Sequence, residues 1–511
     1  MIVRNGKKPE LLIPASSLEV LKTAVLYGAD AVYVGGEVFS LRAKAKNFSM
    51  EDMAEGIAFA HEHGVKVYVT ANVLAHNEDL EEAREYFAAL RDLRYTPKDS
   101  AAEGHEADAE DTAAEVPVAE VAAQPDALII SDPGMFMIAR EVWPECEIHV
   151  STQANNTNYE TYLFWWKLGA KRVVSARELS LREIREIRDR IPEEMEIESF
   201  IHGSMCISYS GRCLLSNYFT GRDANQGNCT HPCRWKYAVM EESRPGEYLP
   251  VFENERGTFL FNSKDLCMIE HVPEMIAAGI DSFKIEGRMK TALYVASVTR
   301  TYRKAIDDYF LGEEVYQKNL DWYRAEIAKC TYRQYSTGFY FGKPSAENQI
   351  YDNSTYLSES IYLGIVEEKM LILSDFTEDY EKGENLPWIQ AQMKEEKLTW
   401  MGAPTEDAMS EEAMDAGEPA EEDSKRQRLM GFLELIQITQ RNKFCVGDHI
   451  EIMKRDGRDL SVLVGAIYNE NLEPMESAPH AKQKLWVWLV DDVSFQRVDV
   501  EEGDVLRQDA N

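Results

Sequence analysis

Short apolar runs recur along roughly the first 290 residues, and most are followed by a segment whose apolar positions repeat with helical spacing. Leu11 to Pro14 precedes Ser16-Ser17-Leu18-Glu19, which reads as a capping box opening a helix with Leu18, Leu21 and Val25 on one face. Ala31 to Gly35 comes next, then a helix near Glu51 to His63 stopped by Gly64. Val67 to Ala71, Ala127 to Ser131, Ile148 to Thr152, Val173 to Ala176 and Met195 to Ile201 continue the series, with a second capping box at Ser180 and Glu183. Phe259 to Asn262 and Phe283 to Glu286 complete it. Apolar, β-branched runs alternating with helices predict parallel strands buried on both faces. Nine runs exceed the eight strands of a closed barrel, and Phe259 to Asn262 is the run expected outside it. An open, doubly wound sheet would want a G-x-G-x-x-G after an early strand, and none occurs. The expected fold is α/β, a (β/α)8-like, TIM-type barrel.

Past about Asp308 the pattern changes to a helix near Leu320 to Lys329 and an aromatic run from Tyr335 to Phe341. After Tyr351 it becomes strand-like, in Ile361 to Val366, Cys445 to Met453, Leu460 to Ile467, Leu485 to Val490 and a last piece near Val505. Short alternating strands separated by Gly, Asp and Asn predict a small antiparallel β-barrel module. The expected organisation is therefore a barrel domain over residues 1–310, a helical and aromatic connector over 311–350, and a C-terminal β module over 351–511 interrupted at about 374–428.

Charge sharpens this division. The 511 residues carry 55 Lys and Arg against 89 Asp and Glu, a net charge of -34, which excludes a generally basic nucleic-acid coat and leaves only local RNA contact. Residues 96–126 contribute -8 and residues 402–423 contribute -9, half of the total in two Ala- and Glu-rich stretches poor in apolar side chains. Both are expected to be disordered acidic insertions, with an acidic partner-binding segment as the alternative. The first residues lack the apolar core of a secretory signal, and no run approaches the ~18 apolar residues of a membrane span. A cytoplasmic protein with reduced thiols, and no membrane partner, is expected.

Four of the eight cysteines, Cys206, Cys213, Cys229 and Cys233, fall within 28 residues. Gathered thiolates select zinc or an iron-sulfur cluster. Structural zinc favours two tight C-x2-4-C pairs, whereas this stretch has one, Cys229-Thr-His-Pro-Cys233, so the spacing points to a 4Fe-4S cluster, with zinc and unrelated thiols as alternatives. Cys146, Cys267, Cys330 and Cys445 stand apart and read as small core residues. The Cys-bearing loop leaves the strand Met195 to Ile201, at the carboxyl-terminal face where barrels carry their active sites. Residues ending the other strands should face the same space: Arg42, Lys44, Asn47, Asn72, Gln153, Asn155, Arg177, Glu178, His202, Lys264, Asp265, Glu286, Arg288 and Lys290. With Lys46, Arg212, Arg222, Arg234 and Lys236 they make a rim suited to phosphate or carboxylate. Arg42, Arg177, His202, Lys264, Glu286 and Arg288 are the candidate catalytic residues, and Tyr209, Tyr218, Phe219 and Trp235 are aromatics of the same region, either core or base-stacking.

The segment Glu198-Ser-Phe-Ile-His202-Gly-Ser-Met-Cys206-Ile-Ser-Tyr-Ser-Gly211-Arg-Cys213-Leu-Leu-Ser216 resembles the signature of the collagenase-like peptidase family of unassigned catalytic type. Gly227-Asn-Cys229-Thr-His-Pro-Cys233-Arg-Trp235, Asn262-Ser-Lys-Asp-Leu266, Lys284-Ile-Glu-Gly-Arg288 and Arg441-Asn-Lys-Phe-Cys-Val-Gly-Asp448 extend the resemblance over nearly the whole chain outside the acidic insertions. Within the family the sequence is most similar to the tRNA hydroxylation protein P branch. The resemblance implies an iron-sulfur cluster and oxygen-independent formation of 5-hydroxyuridine at the tRNA wobble position, with prephenate or a similar small carboxylate as hydroxyl donor. Relatives hydroxylate a ribosomal RNA cytidine or, in a shorter paired form, the ubiquinone ring, so a partner subunit of the same family is a further expectation. Peptidase activity is the alternative enzyme reading, although neither H-E-x-x-H nor G-x-S-x-G occurs. A ribosomal RNA cytidine hydroxylase and a tRNA-binding protein without catalysis are the remaining alternatives, the last weakened because a bare binder needs no cluster.

Overall fold

The computed structural model describes residues 6–40, 47–97, 120–206, 208–235, 239–240, 248–249, 253–254, 257–258, 263–343, 357–375, 430–491 and 498–510. Two compact units divide the chain, Met1–Glu359 and Ser360–Asn511. In the first, eight strands run parallel: β1 (Glu10–Pro14), β2 (Ala31–Gly35), β3 (Lys66–Ala71), β4 (Ala127–Ile130), β5 (Glu147–Val150), β6 (Arg172–Val174), β7 (Glu196–Gly203) and β8 (Ser282–Ile285). Each pairs with the next, and β8 closes the ring by pairing with both β7 and β1. Their inward and outward faces are both buried, by interior side chains and by the surrounding helices, which is why the strands read as near-continuous apolar runs.

The ninth element is a short strand, Asp265–Cys267, which lies antiparallel on the end of β7 through Leu266 opposite Gly203. It adds to the sheet without joining the barrel. The expected run 259–262 lies outside the described residues. Helix α1 (Leu18–Leu26) starts at Ser17, whose Oγ accepts from Val20 N, one residue later than the box expected at Ser16. The second box is present as read: Glu183 N donates to Ser180 Oγ and Ser180 N to Glu183 Oε2.

The helical segment after residue 311 belongs to the first unit. Tyr316 Oη donates to the Ile269 carbonyl at 2.7 Å, and buried Glu326 pairs with buried Arg300, a residue of the long helix Ala292–Leu311. The acidic stretch also ends earlier than charge counting suggests. Residues 98–119 lie outside the described residues, but Val121–Ala122 pairs with Arg94–Tyr95, and Ala123 is fully buried. Asp126 Oδ2 accepts from Val67 N at 2.8 Å and lies 3.0 Å from His61 Nε2. Residues 120–126 are therefore packed structure, because an acidic side chain that caps the start of a strand is fixed by backbone N–H groups that composition does not reveal.

The second unit is a closed antiparallel barrel of six strands: His449–Met453, Val505–Asp509, Ser360–Asp375, Met430–Thr439, Lys484–Asp491 and Asp459–Tyr468. Leu363, Ile436, Val462, Val487 and Leu506 lie in its core. Met430–Thr439, absent from the expected strands, is required for closure, and it follows residues 376–429, which lie outside the described residues. Among the described residues no helix is long and apolar enough to cross a membrane.

Candidate functional site

A cavity of about 430 Å³ opens at the carboxyl-terminal ends of the first unit's strands. Cys206, Cys213, Cys229 and Cys233 all line it, together with Arg177, Glu286, Arg288 and Lys290. Four thiols separated by up to 27 positions are brought to one cavity because β7 delivers the chain to the rim at Gly203 and the segment that follows returns to it. Gly203 has φ +108°, and a Cβ there would collide with the carbonyl of Glu286, the residue that follows β8. Within the loop, Asn155 Nδ2 donates to the Ser210 carbonyl at 3.0 Å and Arg212 Nε to Asn155 Oδ1 at 2.7 Å, tying the cysteine segment to the turn after β5.

The cations are held by neutral or acidic partners. Arg177 donates to Ser210 Oγ at 2.7 Å, lies 3.6 Å from Glu286 Oε2 and stacks over the Phe200 ring at 3.9 Å. Arg288, nearly buried, donates to Ser40 Oγ and, at 3.1 Å, to Thr70 Oγ1. β2 must end in Gly35 for this, since a Cβ would strike both Ser40 Oγ and the Arg288 guanidinium.

Lys284 and Glu198 were not among the sequence candidates. Lys284 Nζ donates to Glu198 Oε1 at 2.6 Å inside the barrel, sits 4.4 Å from the Tyr33 ring, and lines the cavity. Arg172 shares Glu198 at 3.2 Å and binds Glu10 and Glu196. Burial would raise the Glu198 pKa, but Lys284 and Arg172 outweigh it and hold the carboxyl below its ordinary range. Burial also depresses the Lys284 ammonium despite Glu198. The available signal was a Lys and a Glu within runs otherwise reading as strands buried on both faces, where charges are rare unless paired.

The other candidates are placed differently. His202 is buried beneath the cavity among the Tyr294, Tyr302 and Tyr335 rings, with Nδ1 3.4 Å from Tyr302 Oη, and burial drops its pKa to about 3. It does not line the cavity. Lys264 is half-buried beside the extra strand and likewise does not line it. Arg42 and Lys44 lie outside the described residues, as do Lys46 and Lys236. Among the isolated cysteines, Cys146 and Cys330 are buried and Cys267 partly so, and burial pushes each of these thiols up to about 12, as expected of inert core residues.

The profile of peptidase family U32 matches residues 16–350, and that of the peptidase family U32 C-terminal domain matches residues 425–507. The chain belongs to peptidase family U32. Within the family it is 40% identical over 387 residues to tRNA hydroxylation protein P1 of Bacillus subtilis, covering 75% of this chain and 84% of that one. It is 42% identical over 335 residues to an uncharacterized protease of Methanocaldococcus jannaschii, covering 65% and 73%. It is also 35% identical over 303 residues to the 23S rRNA 5-hydroxycytidine synthase of Escherichia coli, covering 59% of this chain and 40% of that longer one. Family membership thus spans proteins named for RNA hydroxylation and for proteolysis, and the site must decide between them.

Proposed function

We propose that this chain is an iron-sulfur-dependent, oxygen-independent RNA hydroxylase that converts the tRNA wobble uridine to 5-hydroxyuridine, using a prephenate-like carboxylate as hydroxyl donor. The observation that carries the reading is one cavity lined at once by four cysteines and by Arg177, Lys284 and Arg288. Four cysteines that line one cavity and contain only one tight pair, Cys229 and Cys233, suit a polynuclear cluster, in which each iron takes its own thiolate, better than a lone zinc. Cys206, Cys213, Cys229 and Cys233 would hold it, and a bound cluster would supply electron transfer and a Lewis-acidic iron.

The protein's own groups account for donor and base. Guanidinium groups pair with carboxylates bidentately, and Arg177 and Arg288 are immobilised by Ser210, Ser40 and Thr70 while still facing the cavity. Replacing the C5–H of uridine by C5–OH removes two electrons from the base. The balance closes without oxygen when the donor exchanges its hydroxyl for hydrogen and takes up those two electrons. A wobble base, unpaired in its loop, can be turned out into such a cavity at small cost.

Two measurements test the proposal. Anaerobically purified protein should be brown with about four irons per chain, and a gene deletion should remove 5-hydroxyuridine derivatives from tRNA, as read by nucleoside mass spectrometry. A colourless protein holding one zinc overturns the cluster. Unchanged tRNA with altered ribosomal RNA moves the substrate to rRNA, and cleavage of peptides by the purified protein restores the peptidase reading.

A further inference from the structure

Five of the large apolar side chains exposed in the described structure, Tyr209, Leu214, Tyr218, Phe219 and Trp235, come from one loop and the short helix Leu215–Thr220 beside the cavity. Tyr218 and Leu214 are 80% and 66% exposed, so neither serves the core. The rings form a ribbon: Tyr218 meets Phe219 edge-on at 5.1 Å, and Phe219 lies 6.2 Å from Trp235. Tyr209 lines the cavity, as do His231, Pro232 and Cys233 just before Trp235, so the segment that carries the ribbon also forms part of the mouth.

Charge selects the occupant. Residues 204–235 hold three arginines and one acid, a net +2 in a chain of net -34. That acid, Asp223, accepts from Asn225 N and caps a short turn. Arg212 and Arg222, in the same segment as the rings, are exposed. Acid-poor surface with exposed aromatics and arginines attracts phosphate and offers flat faces to bases, whereas a hydrophobic protein partner would not require the acids to be cleared.

We infer that Tyr218, Phe219 and Trp235 form a stacking platform for the unpaired nucleotides flanking the reacting base of an RNA loop, with Arg212 and Arg222 on their phosphates. The inference rests on the proposed RNA substrate. It places the target nucleotide in the cavity and its single-stranded neighbours on the ribbon, and it makes a loop, not a duplex, the recognised form.

The test uses full-length protein, an unpaired RNA heptamer and the same heptamer annealed to its complement. Wild type should bind the single strand more tightly than the duplex, with quenching of Trp235 fluorescence that Trp235→Phe removes. Tyr218→Ala and Phe219→Ala should each weaken single-strand binding by about 5-fold or more, with iron content and melting temperature unchanged. Arg222→Gln should reduce the salt dependence of binding. If wild type binds and modifies RNA while the aromatic variants match it, the platform is wrong and the proposed function stands. If wild type binds no RNA at all, the functional reading fails first. A ribbon that binds a protein and leaves RNA affinity unaltered on mutation also overturns the inference.

Discussion

Glu198→Gln is the sharpest perturbation of the barrel floor. Glu198 is fully buried, holds Lys284 Nζ at 2.6 Å and shares Arg172 at 3.2 Å, and Lys284 itself is almost fully buried. Arg172 keeps Glu10 and Glu196 after the substitution, whereas Lys284 loses the carboxylate it touches. Breaking a buried pair from one side costs about 3–5 kcal/mol. An independent ceiling agrees: a buried lysine can shed its proton, and doing so at pH 7 from an ordinary pKa of ~10.4 costs about 4.6 kcal/mol. Lys284→Met should cost less, about 1.5–3 kcal/mol, because Glu198 retains Arg172. The double variant should recover part of the Glu198→Gln loss, since the stranded charge is gone. In Glu198→Gln the folded state binds fewer protons than the unfolded chain up to about pH 10.4, so the deficit should be deepest near pH 7 and shrink toward pH 10. Urea denaturation of the four proteins from pH 7 to 10 measures all of this. A loss below about 1 kcal/mol, flat with pH, would show that the floor is solvated and that the cavity lacks the low-dielectric base argued above.

Arg177→Ala and Arg288→Ala should each lower hydroxylation at least about ten-fold with iron content intact, loss of one bidentate carboxylate pair costing about 1.5–3 kcal/mol; retention of wild-type rates by both would place the donor elsewhere. Deleting residues 98–119 or 402–423 should leave the melting temperature unchanged and hold or raise RNA affinity at low salt. Asp126→Ala, by contrast, should destabilise the first unit by about 1–3 kcal/mol because Val67 N loses its acceptor, and equal melting temperatures would disprove that anchor. His202, with a folded pKa of about 3 below its unfolded value, contributes stability that is present above pH ~6.5 and is lost as pH falls from there toward 3. His202→Asn should flatten that acid-side decline in urea unfolding, and an unaltered decline would mean another group titrates there.

The period of the apolar residues and the helix signals between them determined the eight barrel strands, since a strand buried on both faces must be apolar at nearly every position. The cysteine spacing likewise placed all four thiols after β7. Local sequence could not show what long-range closure decides. Lys284 and Glu198, 86 positions apart, become partners only because β8 returns to pair with β7. His202 looks like a rim residue by position, yet its imidazole lies among the Tyr294, Tyr302 and Tyr335 rings and does not line the cavity. Asp126 reads as one more acid of an insertion until β3 presents it with Val67 N. Periodicity reports which face of an element is buried, whereas the identity of the group that meets a charge there depends on strand order, and strand order exists only in the folded chain.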